Sequence, residues 1–275
     1  LSNVCTHRGN IILDAPCKSG QPRCGYHGRR FNLQGEVTAA PGFEDAIDFP
    51  RAQDHLPSPP TANLGPLWFT SLNPSTPFQD WIAPVLERCP WLKDMALPNT
   101  PQHIRDYEIE ANWMVYCDNY LEGFHVPFVH PSLQRTLETG SYETHLFPWA
   151  SAQTSKPGTN CPALPDGQAA WYFWLFPNTM INVYPWGVSM NVVLPTSIAT
   201  TRVRFLSYVA KPELQESGAG GDLDQVELED ESVVESVQQG LQSRLYTRGR
   251  YSPRHEQAVH HFHRLLTREP SCESS

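Results

Sequence analysis

The chain has 275 residues, 40% of them hydrophobic and 18% charged, a balance that belongs to a globular protein and not to a disordered one. That length holds one large domain or two medium ones with a real core. A net charge of −9 excludes a nucleic-acid binder, whose phosphate contacts need a basic face, and no run reaches the roughly 18 apolar residues of a spanning helix.

Proline is frequent, 26 residues against a usual level of roughly 5%, so many irregular connections are expected. No signal peptide is visible. The chain opens at Leu1 already inside a motif, and its native N-terminus is expected to lie upstream. Seven cysteines, an odd number at irregular spacing, do not make a disulfide framework. They fit reduced thiols in a cytoplasmic protein, two of them reserved for metal.

Residues 1–40 read as short strands punctuated by glycine turns. Cys5-x-His7 and Cys24-x-x-His27 each put one thiolate and one imidazole on a tight loop. A zinc site would more often carry its Cys pair first and its His pair second. The alternation here lets two Cys hold one iron and two His the other, the ligand set of a Rieske [2Fe–2S] centre. A zinc ribbon is the competing reading. Cys17, between the loops, reads as an ordinary small residue.

The strings SNVCTHRGN (residues 2–10) and CGYHGRRF (residues 24–31) resemble the Rieske motif pair of ring-hydroxylating oxygenase α subunits. One departure is Arg29, where many members have Trp. It touches no ligand, but bears on cluster packing or on the docking surface for an electron donor.

Prolines break residues 41–66 into loop, and residues 67–72 form a strand closing the first domain. The boundary is expected near residues 73–77, giving domains 1–75 and 76–275. Residues 78–92 have helical spacing, with Pro84 making the helix kinked or short. Residues 107–110 alternate like a strand and residues 112–121 read as a helix.

The stretch DNYLEGFHVPFVH (residues 118–130) carries His125 and His130 behind two acids. Pro127 is expected to prevent a regular helix between them, so that they converge from a turn. Two histidines alone suit a hydrogen-bonded core pair as well as a metal. Downstream of the Cys/His loops they are expected to ligate iron. The segment resembles the same family's Asn-Trp…Asp-Asn-Tyr-Leu-Glu…His…His signature. The resemblance implies an α+β protein: a truncated all-β Rieske domain, then a helix-grip (START/Bet v 1-like) catalytic domain with a curved antiparallel sheet and the iron inside.

Residues 140–210 would supply that sheet, with strands at 169–177, 179–184, 190–194 and 201–209. Trp171, Trp174, Tyr184 and Trp186 are candidates to face the cavity. An aromatic box would suit a quaternary ammonium substrate and a plain apolar wall an arene. Residues 211–225 form a polar loop, expected to be mobile and to border the site. A long helix follows from about Val226, with Val233, Val234, Val237, Leu241 and Leu245 on its spacing and acids in its first turns. EDESVVESVQQGL (residues 229–241) resembles the family's Glu-Asp…Glu-x-Val-Gln-x-Gly-Leu helix. By that match Asp230 is the third iron ligand, with Glu231 as the fallback. The tail holds His255, His260, His261 and His263, assigned to packing and surface roles, and residues 267–275 are expected to fray.

The resemblance further implies oxygen activation at Fe(II), fed through the cluster by a separate NAD(P)H-dependent reductase or ferredoxin. The chain has no Gly-x-Gly-x-x-Gly fingerprint and is not expected to bind nicotinamide. It implies a head-to-tail homotrimer in which an acid bridges a Rieske His and an iron His of adjacent subunits. Glu122 is the candidate bridge and Asp118 the alternative. Motifs lean towards the choline monooxygenase-like branch, with mono- and dioxygenation both open. A zinc-stabilised ligand-binding module without redox activity is the contrary reading.

Overall fold

A computed structural model describes residues 1–138 and 140–267. Cys272 and the end of the tail expected to fray lie outside the described residues. The chain forms two compact units: Leu1–Asn63 with Leu67–Ser75, and Leu64–Pro66 with everything from Thr76 onward.

The first unit is mostly loop. Arg30–Phe31 (β1) pairs antiparallel with Val37–Ala39 (β2), and Thr61–Leu64 (β3) pairs with Leu67–Thr70 (β4). Cys5, Ile12, Cys24, Phe31 and Leu56 make its small core. Two loops share one geometry. Cys5 accepts from the Gly9 amide and donates to Asn10, while Cys24 accepts from Gly28 and donates to Arg29. Gly9 and Gly28 both sit at positive φ, +72° and +76°, a conformation that glycine adopts at no steric cost.

In the second unit, Phe78–Arg88 (α1) runs through Pro84 and stops short of the expected residue 92. Cys89 precedes Pro90 and takes φ −121°, ψ 61°, because the proline ring disfavours helical backbone in the residue before it. A separate 3₁₀ turn follows over Pro90–Lys93.

Seven strands form one antiparallel sheet: His103–Ile109 (β5), Glu143–Phe147 (β6), Ala150–Ser155 (β7), Ala170–Leu175 (β8), Thr179–Tyr184 (β9), Gly187–Pro195 (β10) and Thr201–Val209 (β11). Their spatial order is β5-β11-β10-β9-β8-β7-β6. The β9–β10 turn depends on Gly187. Its φ is +152°, and a Cβ there would lie 2.1 Å from the Tyr208 carbonyl oxygen. The β5 edge carries Asp106 and Glu108 paired with Arg204 and Arg202 across the ladder, and such charges discourage further strand pairing.

Trp113–Tyr120 (α2), Val126–Val129 (α3), Pro131–Thr136 (α4), Leu223–Leu241 (α5) and Gln257–Leu266 (α6) complete the unit. The Asn112 side chain caps α2 by accepting from the Met114 amide at 3.0 Å. Tyr116, Cys117 and Leu121 from the α2 segment join Val234 of α5, Phe262 of α6 and Trp174, Met180 and Val203 of the sheet in the main core.

Three expectations are corrected here. Pro127 does not prevent a helix between the two histidines: it stands in the first turn of α3, where its missing N–H leaves no bond unmade. The long helix begins at Leu223, three residues earlier than expected, and buries Glu227 and Val234 while Val237 and Leu241 stay exposed and Leu245 lies past its end. Residues 211–225 are not one open loop. They contain two 3₁₀ turns, and Trp186 Nε1 donates to the Gly220 carbonyl at 3.0 Å. Among the described residues no helix is long and apolar enough to cross a membrane.

Candidate functional site

His125 precedes α3 and His130 follows it, so one helical turn sets the spacing of the two imidazoles. Their ring centroids are 5.1 Å apart at 77°. Asp230 approaches from α5, its Oδ1 lying 3.0 Å from His130 Nε2 and 3.5 Å from His125 Nε2. Asn119 of α2 donates to the same oxygen at 2.6 Å and holds it towards the histidines.

Each imidazole is backed by a carboxylate. Glu122 lies 2.6 Å from His125 Nδ1 and also accepts from the His125 amide at 3.1 Å. Glu229 lies 2.7 Å from His130 Nδ1 and is itself held by Gln225 at 2.9 Å. With Nδ1–H given to a carboxylate, each ring turns its Nε2 lone pair inward. The three donor atoms lie within 4.8 Å of one another, two nitrogens and one oxygen on one face, and this donor set fits a divalent iron with open positions opposite. Burial would lower the His130 pKa, yet Asp230 and Glu229 raise it above its ordinary value. Gly123 is needed for the chain to pass here, since a Cβ would lie 2.2 Å from the Tyr142 ring.

Other candidates fall elsewhere. Asp118 is not brought to the triad. On α2 it stands about 100° round the helix from Asn119 and lies 2.9 Å from His263 Nε2 on α6. Glu231 is also outside the set, because the helix begins where Asp230, not its neighbour, faces the histidines. His255 stacks on Phe124, centroids 4.6 Å apart, in keeping with the packing role given to the tail.

A cavity of about 100 Å³ opens beside the triad. Its aromatic lining is largely tyrosine, including Tyr120, Tyr142, Tyr172 and Tyr184. The tryptophan candidates are corrected. Trp171 stacks on Phe173 on the other face of β8. Trp174 shares a face with Tyr172 but lies two residues further on, under Phe262. Trp186 stacks on Tyr184 from outside the lining. Residue-level reading missed Glu227, which lines the cavity, and the backing role of Glu229. A signal for Glu227 exists: with Asp230 and Val234 it falls at i, i+3, i+7, an acid on the inward stripe of a helix.

In the first unit the Cys5 and Cys24 side chains are buried and the His7 and His27 rings meet edge-on, centroids 4.7 Å apart. Burial would raise the Cys24 pKa, but hydrogen bonds from the Tyr26 and His27 amides, the Cys5 thiol and Asn10 bring it below its ordinary value. Asn10 Nδ2 is 3.6 Å from the sulfur. Amides aimed at sulfur suit a cluster held by thiolates. Arg29 is 3% exposed, its guanidinium 4.8 Å from the Phe43 ring and 5.0 Å from Phe49, and it donates to the Thr6 hydroxyl at 3.1 Å. It therefore packs inside the unit and offers no docking surface.

Residues 100–269 match the family described as "Ring hydroxylating alpha subunit (catalytic domain)", and residues 1–57 match the "Rieske [2Fe-2S] domain". The chain belongs to the ring-hydroxylating oxygenase α-subunit family. Its cofactors are the family's [2Fe–2S] cluster and mononuclear non-haem iron, so the zinc-ribbon reading falls. It is 31% identical to chloroplastic choline monooxygenase of Arabidopsis thaliana, over 96% of this chain and 67% of that protein. It is also 31% identical to the carnitine monooxygenase oxygenase subunit of Escherichia coli K12, over 96% of this chain and 75% of that one. The chain spans 61–67% of the length of the Arabidopsis, Amaranthus and beet choline monooxygenases. The fold matches a quaternary ammonium Rieske monooxygenase, described with carnitine oxidation and inter-subunit electron transfer, at TM-score 0.76 and 24% identity, covering 96% of this chain and 76% of that one.

Proposed function

We propose that this α-subunit family member is the oxygenase component of a Rieske monooxygenase acting on a small quaternary ammonium substrate. The observation that carries the reading is the convergence of His125 Nε2, His130 Nε2 and Asp230 Oδ1 at the wall of a tyrosine-lined cavity. His125, His130 and Asp230 hold the iron, and Cys5, His7, Cys24 and His27 hold the cluster. Iron held there supplies oxygen activation, with electrons reaching it one at a time through the [2Fe–2S] cluster. Glu122 and Glu229 fix the imidazole orientations, and Asn119 keeps Asp230 turned inward. The tyrosine faces attract an onium head by cation–π interaction while excluding water. An arene needs no such lining, and both curated relatives above are monooxygenases named for quaternary ammonium compounds, so dioxygenation of an aromatic ring is the less supported branch. A separate reductase supplies the electrons, and the subunits assemble so that the cluster of one serves the iron of the next. Glu122 is the acid at that junction, already bonded to His125 on the iron side.

The test is a panel of quaternary amines and arenes given to the full-length protein with a surrogate reductase, scoring O₂ uptake against product. Coupled turnover of a quaternary amine is expected, and Asp230→Ala should lose both that turnover and its mononuclear iron while keeping the Rieske EPR signal. Coupled turnover of arenes alone would refute the substrate class.

A further inference from the structure

Glu227 faces the cavity without belonging to the metal-ligand set. It is 4% exposed, lies one helical turn before Asp230, and accepts from the Tyr116 hydroxyl at 2.8 and 3.0 Å. Among the described residues no Lys, Arg or His pairs with it. The charge of a divalent iron is met by Asp230 and by Glu122 and Glu229 behind the imidazoles, so the metal does not account for Glu227. A buried carboxylate without a counter-ion is costly. Burial, and then the nearby charge of Asp230, push this carboxyl well above the usual range, and a cationic group beside it would draw it back towards the charged form.

A second, independent observation points to a ligand in the same space. Tyr172 lines the cavity, and its hydroxyl is buried and makes no hydrogen bond to the described residues. Buried polar atoms without partners are rare and call for an explanation. The described lining also contains no Lys or Arg, so no cationic side chain there would pair with an anionic group on a ligand. A volume of about 100 Å³, against roughly 30 Å³ for one water in the liquid, suits a compact molecule.

We infer that Glu227 is the counter-charge for the cationic head of the substrate and that Tyr172 bonds a neutral polar end, so that the site takes a small hydroxyl-bearing organic cation and rejects one carrying a carboxylate. This rests on the oxygenase reading above and narrows its substrate class.

Calorimetry on the iron- and cluster-loaded protein tests it with three probes: choline, its neutral isostere 3,3-dimethylbutan-1-ol, and L-carnitine. Choline is expected to bind about tenfold or more tightly than the isostere, and more tightly than carnitine. Glu227→Gln keeps the shape and an acceptor for Tyr116, and should erase most of the preference for the cation. Tyr172→Phe should weaken both alcohols alike and leave their ratio standing. Equal binding of choline and the isostere to the unaltered protein, tighter binding of carnitine, or a preference that survives Glu227→Gln overturns the inference. O₂ uptake with a reductase separates the two readings. Charge-selective binding without oxygen consumption removes the oxygenase assignment alone. Coupled turnover without charge selection removes the Glu227 assignment alone.

Discussion

His125 and His130 would be an unremarkable pair of core histidines without the groups behind them. What makes them ligands on our reading is that Glu122 and Glu229 each occupy an Nδ1, leaving both Nε2 atoms facing Asp230. Outer carboxylates of this kind hold ring orientation and raise ligand basicity, and their loss typically costs 10–100-fold in metal affinity. Glu229→Gln should therefore weaken mononuclear iron binding by about that factor. Chelator competition measures it, with the Rieske EPR signal as an internal control that should not change. The two backing acids differ in legibility. Glu122 stands three residues before His125 inside a recognisable motif, whereas Glu229 lies 99 residues from His130 and is joined to it only by folding. Glu227 was hidden for a different reason. Acids at a helix N-terminus read as solvated, and only the i, i+3, i+7 relation to Asp230 and Val234 marks it as inward.

At the scale of elements, strands rich in β-branched and aromatic residues were readable, and β9 and β11 have the predicted bounds. β7 was not. Its residues Ala-Ser-Ala-Gln-Thr-Ser have low strand propensity, yet all six are buried in the sheet. Small side chains there leave room for what packs on both faces, so tertiary context overrides local preference. α3 was obscured by reading Pro127 as a breaker when it opens a turn. α6 is tied to α2 by His263 and Asp118, the acid that proved to be a strut and not a bridge. The hydrogen bond His263 donates to Asp118, opposed by partial burial and helped by the carboxylate charge, raises the His263 pKa above the ordinary imidazole value of 6.5. A pKa raised on folding contributes stability that is complete below the unfolded value and disappears as pH rises through the folded one. His263→Gln should therefore destabilise the protein more at about pH 6 than at about pH 9, as read by denaturant titration at each pH.

At the scale of the whole molecule, the cluster loops and the iron triad belong to separate compact units, and the proposed electron path joins units of different subunits. Glu122 gives that path a handle, because its side chain belongs with His125 and so with the subunit that holds the accepting iron. Cys24→Ser removes a cluster ligand, and Asp230→Ala removes an iron ligand. Each variant alone should be inactive. Co-expressed with different tags and purified as mixed assemblies, they should regain turnover, since a Cys24→Ser subunit still has iron and an Asp230→Ala neighbour still has a cluster. Adding Glu122→Ala to the Cys24→Ser chain, with iron kept saturating because this acid also backs His125, should abolish the recovery, and single-turnover assays should then find the cluster reduced but unable to pass its electron on. Adding the same substitution to the Asp230→Ala chain should leave recovery intact, because that chain's iron site is already empty. Mixed assemblies that stay inactive would mean that transfer runs within one chain. Recovery that ignores which chain carries Glu122→Ala would remove the acid from the path.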